Sequence, residues 1–255
     1  KVEGSGANEV VVEVYVRSGK WDRERTIEEV EDKYTISIEK SGNSVEAIAE
    51  RKSKSWSGNG VSISFVAKVP RRFNCELLTS GGSLHLSEVD GHSHVLKTSG
   101  GSINLQDIGG DVEARTSGGS ISATGMEGLL NARTSGGSIK LKDIDGNVDV
   151  STSGGGIRLE DISGSVQAST SGGSINADIS ELHGELSLRT SGGSVSATIP
   201  SGIGIDLELK GNRVNTTLNN FSGNAEKDRV VGSMNGGGIP VKMATSGGSV
   251  SLKFN

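Results

Sequence analysis

Between Thr79 and Thr198 apolar and polar residues alternate in short runs, and Thr-Ser-Gly-Gly closes every second run. One repeat places Ile139, Leu141, Ile144, Val148 and Val150 at its apolar positions, and the next places Ile157, Leu159, Ile162, Val166 and Ala168 at the equivalent ones. Alternation with a period of two predicts strands. The motif begins at Thr79, Thr98, Thr116, Thr134, Thr152, Thr170 and Thr190, at spacings of 19, 18, 18, 18, 18 and 20 residues, and again at Thr245. A fixed period of this size predicts stacked repeats. Eighteen residues divide into three hexapeptides or two nonapeptides. Ile139 matches Val148, and Leu141 matches Val150, at a spacing of nine, whereas six residues beyond Ile139 stands Asp145. Each rung is therefore expected to hold two strands, with one corner at Asp-Ile-x-Gly and the other at Thr-Ser-Gly-Gly.

Stacking at the interstrand spacing of about 4.8 Å turns each position into a column. One inward column reads Leu84, Ile103, Ile121, Ile139, Ile157, Ile175 and Val195, and the next reads Leu86, Leu105, Ala123, Leu141, Leu159, Ala177 and Ala197. The opposing strand contributes Val112, Leu130, Val148, Val166 and Leu186, then Ala114, Ala132, Val150, Ala168 and Leu188. These columns predict two thin facing sheets. A single rung buries too few side chains to offset the ordering of its backbone, so neighbouring rungs must supply the rest. At the Thr-Ser-Gly-Gly corners the paired glycines are expected to supply positive φ angles, and the Thr and Ser hydroxyls to bond local backbone and form ladders between rungs. The motif leads into a strand and lacks the lysine of a phosphate-binding loop, which argues against that reading.

The ends of the chain depart from the repeat. Residues 1–78 carry six of the eight aromatics (Tyr15, Trp21, Tyr34, Trp56, Phe65 and Phe73) and read as an N-terminal cap continuous with the solenoid. Within it, NEVVVEVYVRS predicts a strand, WDRERTIEEVEDKY a short amphipathic helix, and YTISIEK-SGN-SVEAIAER a hairpin. The regular repeats occupy 79–198, and degenerate rungs with a cap occupy 199–255. Thr190 and Thr245 lie 55 residues apart, close to three periods, which predicts about two hidden rungs between them, with a loop over 219–233.

Composition narrows the class. The chain has 39 glycines and 32% hydrophobic residues in 255, consistent with an all-β protein with a thin core. Its net charge of -5 argues against nucleic-acid binding, since residues 1–78 balance and the excess acid falls in 79–255. Cys75 is the single cysteine, so no intrachain disulfide forms, and its alternation with Phe73 and Leu77 predicts a buried apolar role. Cysteine avoidance is compatible with an oxidising compartment. These residues include no secretory leader, lipid-attachment cysteine or membrane-spanning run, and no direct membrane insertion is expected of them.

The stretch FVAKVPRRFNCELLTSGGSLHL, the serial TSGGSI units and the ending GGGIPVKMATSGGSVSLKF resemble the bacterial putative-adhesin family of envelope domains. The resemblance spans nearly the whole chain. It implies a right-handed parallel β-solenoid in an extracytoplasmic protein, in the periplasm, on the outer surface or secreted. No catalytic motif comes with it.

Calcium-binding β-rolls follow GGxGxDxUx, but GGSINLQDI has Ile103 at the third glycine position and Leu105 at the liganding aspartate. A separate acidic column, Glu88, Asp107, Asp143, Asp161 and Glu181, is interrupted by Gly125, and bonding to turn amides is its expected role. His92 and His94, with His85 nearby, have a spacing that suits a transition metal, although a solvated edge is the expected placement. Two outward columns vary: His85, Asn104, Ser122, Lys140, Arg158, Asn176 and Ser196, and Lys97, Arg115, Arg133, Ser151, Ser169 and Arg189. Trp21 and Trp56 are the candidate exposed aromatics for carbohydrate.

No catalytic, cofactor-binding or metal residues are assigned, and no cofactor is expected. The expectation is a non-enzymatic structural or adhesive binding module of the cell envelope, or a secreted one, with a protein or glycan ligand. The alternatives are a sensory or scaffold domain of an envelope-stress system and, more distantly, a polysaccharide-active solenoid enzyme.

Overall fold

The computed structural model describes residues 1–53 and 60–255. The chain divides into two compact units, Lys1–Phe73 and Asn74–Asn255.

The first unit contains β1 (Val2–Ser5), β2 (Val11–Ser18), the helix α1 (Arg23–Lys33), β3 (Tyr34–Ser41), β4 (Ser44–Arg51) and β5 (Val61–Pro70). β5 pairs parallel with β1 and antiparallel with β2, while β3 and β4 form the expected hairpin. Its turn has Gly42 at φ 59°, the left-handed first position that a two-residue hairpin turn favours. α1 starts at Asp22, whose carboxylate accepts from the Arg25 amide at 2.8 Å. The helix is less amphipathic than its sequence predicts. Thr26 and Glu29 are buried and Ile27 is exposed, because Glu29 is held by ion pairs to Arg25 and Lys33 along the helix.

The second unit is a parallel β-solenoid of about seven turns. Its first ten strands are β6 (Cys75–Thr79), β7 (Leu84–Thr98), β8 (Ile103–Thr116), β9 (Ile121–Glu127), β10 (Leu130–Thr134), β11 (Ile139–Asp145), β12 (Val148–Thr152), β13 (Ile157–Thr170), β14 (Ile175–Thr190) and β15 (Val195–Ile199). Successive rungs pair in register: Ile139 lies between Ile121 and Ile157, and Val148 between Leu130 and Val166. The expected inward columns are all present. A further one, Val89, Ile108, Met126, Ile144, Ile162 and Ile179, fills the Asp-Ile-x-Gly corner, each residue at most 3% exposed.

At the other corner the threonine, not serine, lies inside. Thr134 Oγ1 accepts the Gly137 amide of its own corner at 3.3 Å and donates to the Gly119 carbonyl of the preceding corner at 2.7 Å. The same two bonds recur at Thr98, Thr116, Thr152, Thr170, Thr190 and Thr245, none more than 7% exposed. Outside it, Ser102, Ser120 and Ser138 donate their amides to the serine hydroxyl one rung back. The expected hydroxyl ladders therefore exist.

The expected role of the glycines does not hold. No Thr-Ser-Gly-Gly glycine has a positive φ; the left-handed glycines Gly110, Gly128, Gly146 and Gly164 stand at the opposite corner. Proximity makes the second glycine of the motif necessary. A Cβ on Gly119 would lie 2.0 Å from the Gly101 carbonyl oxygen, whereas one on Gly118 would lie 3.5 Å from its nearest neighbour.

The C-terminal region comprises β16 (Ile205–Lys210), β17 (Arg213–Thr216), β18 (Phe221–Ala225), β19 (Arg229–Met234), β20 (Ile239–Thr245) and β21 (Ser249–Phe254). No rung lies between the corners at Thr190 and Thr245, contrary to the 55-residue spacing. Thr245 donates to Gly193 at 2.6 Å, so the eighth corner sits directly on the seventh. The intervening excursion is placed one level further on. β20 is held between β14 and β16, and β21 between β15 and β17. The last strands in sequence are thus internal in the stack. Where a loop was expected, β18 and β19 form an antiparallel hairpin that pairs with β16.

Gly119→Ala is expected to cost more than about 2 kcal/mol in urea unfolding and Gly118→Ala less than about 1 kcal/mol, since only the first drives a methyl into backbone. Equal losses would show that proximity does not select the glycine.

Candidate binding surface

The Thr-Ser-Gly-Gly corners and the adjoining ends of their strands line a shallow, open groove of about 770 Å³ along five consecutive rungs, from Leu78 to Ser151. The outward column Lys97, Arg115, Arg133 and Ser151 lines it, together with the first serines of the motifs, Ser80, Ser99, Ser117 and Ser135. β7, β8 and β10 carry the three cations on consecutive rungs, with Lys97 paired to Arg115 and Arg115 to Arg133. Ser169 and Arg189, from the same sequence column, stand beyond the lining.

Two acids hold these cations from outside. Glu113 Oε1 lies 3.2 Å from Lys97 Nζ and 2.7 Å from Arg115 Nε, and Asp149 Oδ2 lies 3.2 Å from Arg133 Nη2. Neither acid lines the groove. The cationic side chains remain about half exposed, at 46%, 51% and 48%. Glu113, Asp149 and the serine row were missed in the sequence reading. Half of the pairing signal was present: Glu113 stands two positions before Arg115 on the same strand face, whereas Asp149 reaches Arg133 from the neighbouring rung, beside Asn131.

The other outward column forms a smaller hollow of about 280 Å³ at Ser122, Lys140 and Arg158. His85 belongs to that column and is exposed, with its Nδ1 3.4 Å from Asn104 Nδ2. Glu88, Asp107, Asp143 and Asp161 share a left-handed backbone, at φ 54–56°, and Gly125 occupies the same conformation in their column at φ 65°. The column therefore marks a strained corner position that Asp and Gly tolerate best. The carboxylates of Asp107 and Asp143 contact the neighbouring Gln106 and Lys142 side chains, not the expected turn amides. Glu181 is not in this column. Its rung loses one residue before the corner, so Ile179 pairs with Ile162 and Glu181 with Ser163. Among the described residues no group of three His, Cys, Asp or Glu side chains is placed to hold a metal.

A family model described as Toastrack DUF4097 matches residues 13–253. The chain belongs to the Toastrack DUF4097 family. No curated protein matches it in sequence. Among solved structures, this Toastrack chain is similar to a "putative cell adhesion protein" from Clostridium sporogenes ATCC 15579, with 13% identity, coverage of 100% of this chain and 86% of that one, and a TM-score of 0.23. The fold described above rests on this chain's own strand pairing.

Within the Toastrack solenoid the three candidate histidines are not equivalent. A register shift between Asp90 and Ser93 inserts His92, which is exposed, while its amide and that of Ser93 donate to Asn74 Oδ1 at 2.8 and 3.3 Å. That shift turns His94 inward, into the column of Cys75 and Val112, where it is 0% exposed. The expected solvated edge is therefore wrong for His94. Its Nε2 lies 3.1 Å from the Gly109 carbonyl, which only accepts, so Nε2 carries the proton and the buried Nδ1 has no partner. Cys75 is buried as expected, and desolvation pushes its thiol up to about 11, which makes it unreactive. Trp21 is half-buried, with Lys20 Nζ 5.3 Å from its ring centre, and Trp56 lies outside the described residues. No described helix is long and apolar enough to cross a membrane.

Burial holds His94 below the ordinary histidine value, against the raising effects of the Gly109 carbonyl and Asp90. A depressed histidine leaves stability complete above the ordinary value of about 6.5 and removes it as pH falls below that value. His94→Val, which continues the Val112 column, is expected to flatten the decline in unfolding midpoint between about pH 7 and 5. Parallel declines in wild type and variant would count against this assignment.

Proposed function

We propose that this chain is a non-enzymatic binding module of structural or adhesive type that works outside the cytoplasm, in the cell envelope or as a secreted protein. One observation carries the reading. Inward positions are nearly uniform along a stiff stack of rungs, while the outward residues vary and line an open groove at the corners. Such a surface suits recognition of an extended partner across several rungs. Catalysis requires an acid, base or nucleophile converging on one point. Here the groove offers cations already paired to carboxylates and serines spread along a row, an arrangement that supports binding over turnover.

A glycan array probed with the intact chain, followed by assay of the bound glycans for new reducing ends, tests this reading. The expected outcome is retention of at least one class of glycan without cleavage. Release of reducing ends would overturn the non-enzymatic assignment. A chain that retains no glycan but captures an envelope protein would favour the sensory or scaffold alternative.

A further inference from the structure

We propose that the corner groove takes an extended acidic polysaccharide, a linear glycan with carboxylates, running along the solenoid axis. The inference rests on the binding-module reading and names its ligand. Lys97, Arg115 and Arg133 stand on consecutive rungs, which places a cation about every 4.8 Å along one line. Only an elongated ligand with regularly spaced anionic groups meets all three. A compact anion would engage one or two and leave the rest of the groove empty.

The surroundings of these cations select among polyanions. Arg115 and Arg133 present planar guanidinium forks that match carboxylates, and their acidic partners contact them from outside the lining. Glu113 occupies Nε of Arg115 and Asp149 occupies Nη2 of Arg133, and each guanidinium, about half exposed, has further N–H groups to donate to a ligand. Beside them, two residues further along each corner, runs a row of exposed hydroxyls, Ser99, Ser117 and Ser135, suited to the hydroxyl groups of a sugar. None of the lining residues is aromatic, which removes the stacking platform that single-stranded nucleic acid uses. Leu78, at one end, is the sole large apolar residue of the lining, so the groove lacks the buried anchors that peptide recognition needs. Three cations of the groove share two acids, so the row keeps an excess of positive charge.

The test measures binding of the full chain to polygalacturonate, dextran, dextran sulfate and oligothymidylate. Polygalacturonate is expected to bind, to weaken as salt is raised, and to bind at least about tenfold more tightly than its monomer, because three cations act together. The double variant Lys97→Ala/Arg115→Ala is expected to weaken it at least about tenfold, and Ser117→Asp, an exposed change in the groove, to weaken it similarly without loss of fold. Lys140→Ala/Arg158→Ala, on the other outward column, is expected to leave binding unchanged. Equal or tighter binding of dextran sulfate or oligothymidylate would overturn the proposal in favour of a generic polyanion surface. Unchanged binding in both groove variants, or no binding of polygalacturonate, would overturn it as well. If the glycan array then retained a neutral glycan, the binding-module reading would stand without this ligand; if it retained none, both would fall.

Discussion

Each Thr-Ser-Gly-Gly corner turns on one hydroxyl group. The threonine oxygen accepts from an amide in its own corner and donates to a carbonyl in the corner before it, so every rung is tied to its neighbour through a buried side chain as well as through the strand ladder. For the threonine to reach that carbonyl the corners must approach closely, and the second glycine permits it by carrying no Cβ. The serine row follows from that approach, while the in-register strand pairing aligns the aliphatic columns and spaces Lys97, Arg115 and Arg133 evenly. A solenoid with such thin rungs gains its stability from these nearest-neighbour contacts, because no single rung encloses a core.

The C-terminal topology extends the same principle past the regular repeat. A solenoid that ended in sequence order would leave its last rung exposed along one edge. Here β20 and β21 are flanked on both sides, and the strands that precede them in sequence form the outer layer with an antiparallel hairpin. The hairpin breaks the parallel pattern, so a further parallel rung finds no matching template on that side. The corner of this inserted rung keeps the threonine relay, with Thr245 bonded to Gly193.

The inward columns were legible in the sequence because period two and period eighteen are both local signals, and the structure places them in register. The misreadings share a different cause. The reason for Gly119 lies in the distance to Gly101, which belongs to another rung and has no trace in backbone preference alone. His94 was misplaced because a one-residue insertion at His92 reverses which neighbours face inward. Glu181 left its column because its rung drops a residue before the corner. The position of β20 was beyond reach, since Val241 pairs with both Leu186 and Leu207 and neither contact is signalled by spacing. On the surface, the varied outward letters were visible, but the groove depended on which of them share a corner with the serine row.

The threonine relay is the interaction on which the stack of rungs depends. Urea unfolding of Thr134→Val and Thr134→Ser separates the hydroxyl from the volume it fills. Valine keeps the shape and removes both hydrogen bonds, leaving a backbone donor and acceptor without their partner in a buried corner, whereas serine keeps the hydroxyl and loses one methyl group. The relay predicts a loss of at least about 2 kcal/mol for valine and about 1 kcal/mol or less for serine. A valine variant as stable as the serine variant, or more so, would show that packing and not the hydrogen-bonded corner holds the rungs together.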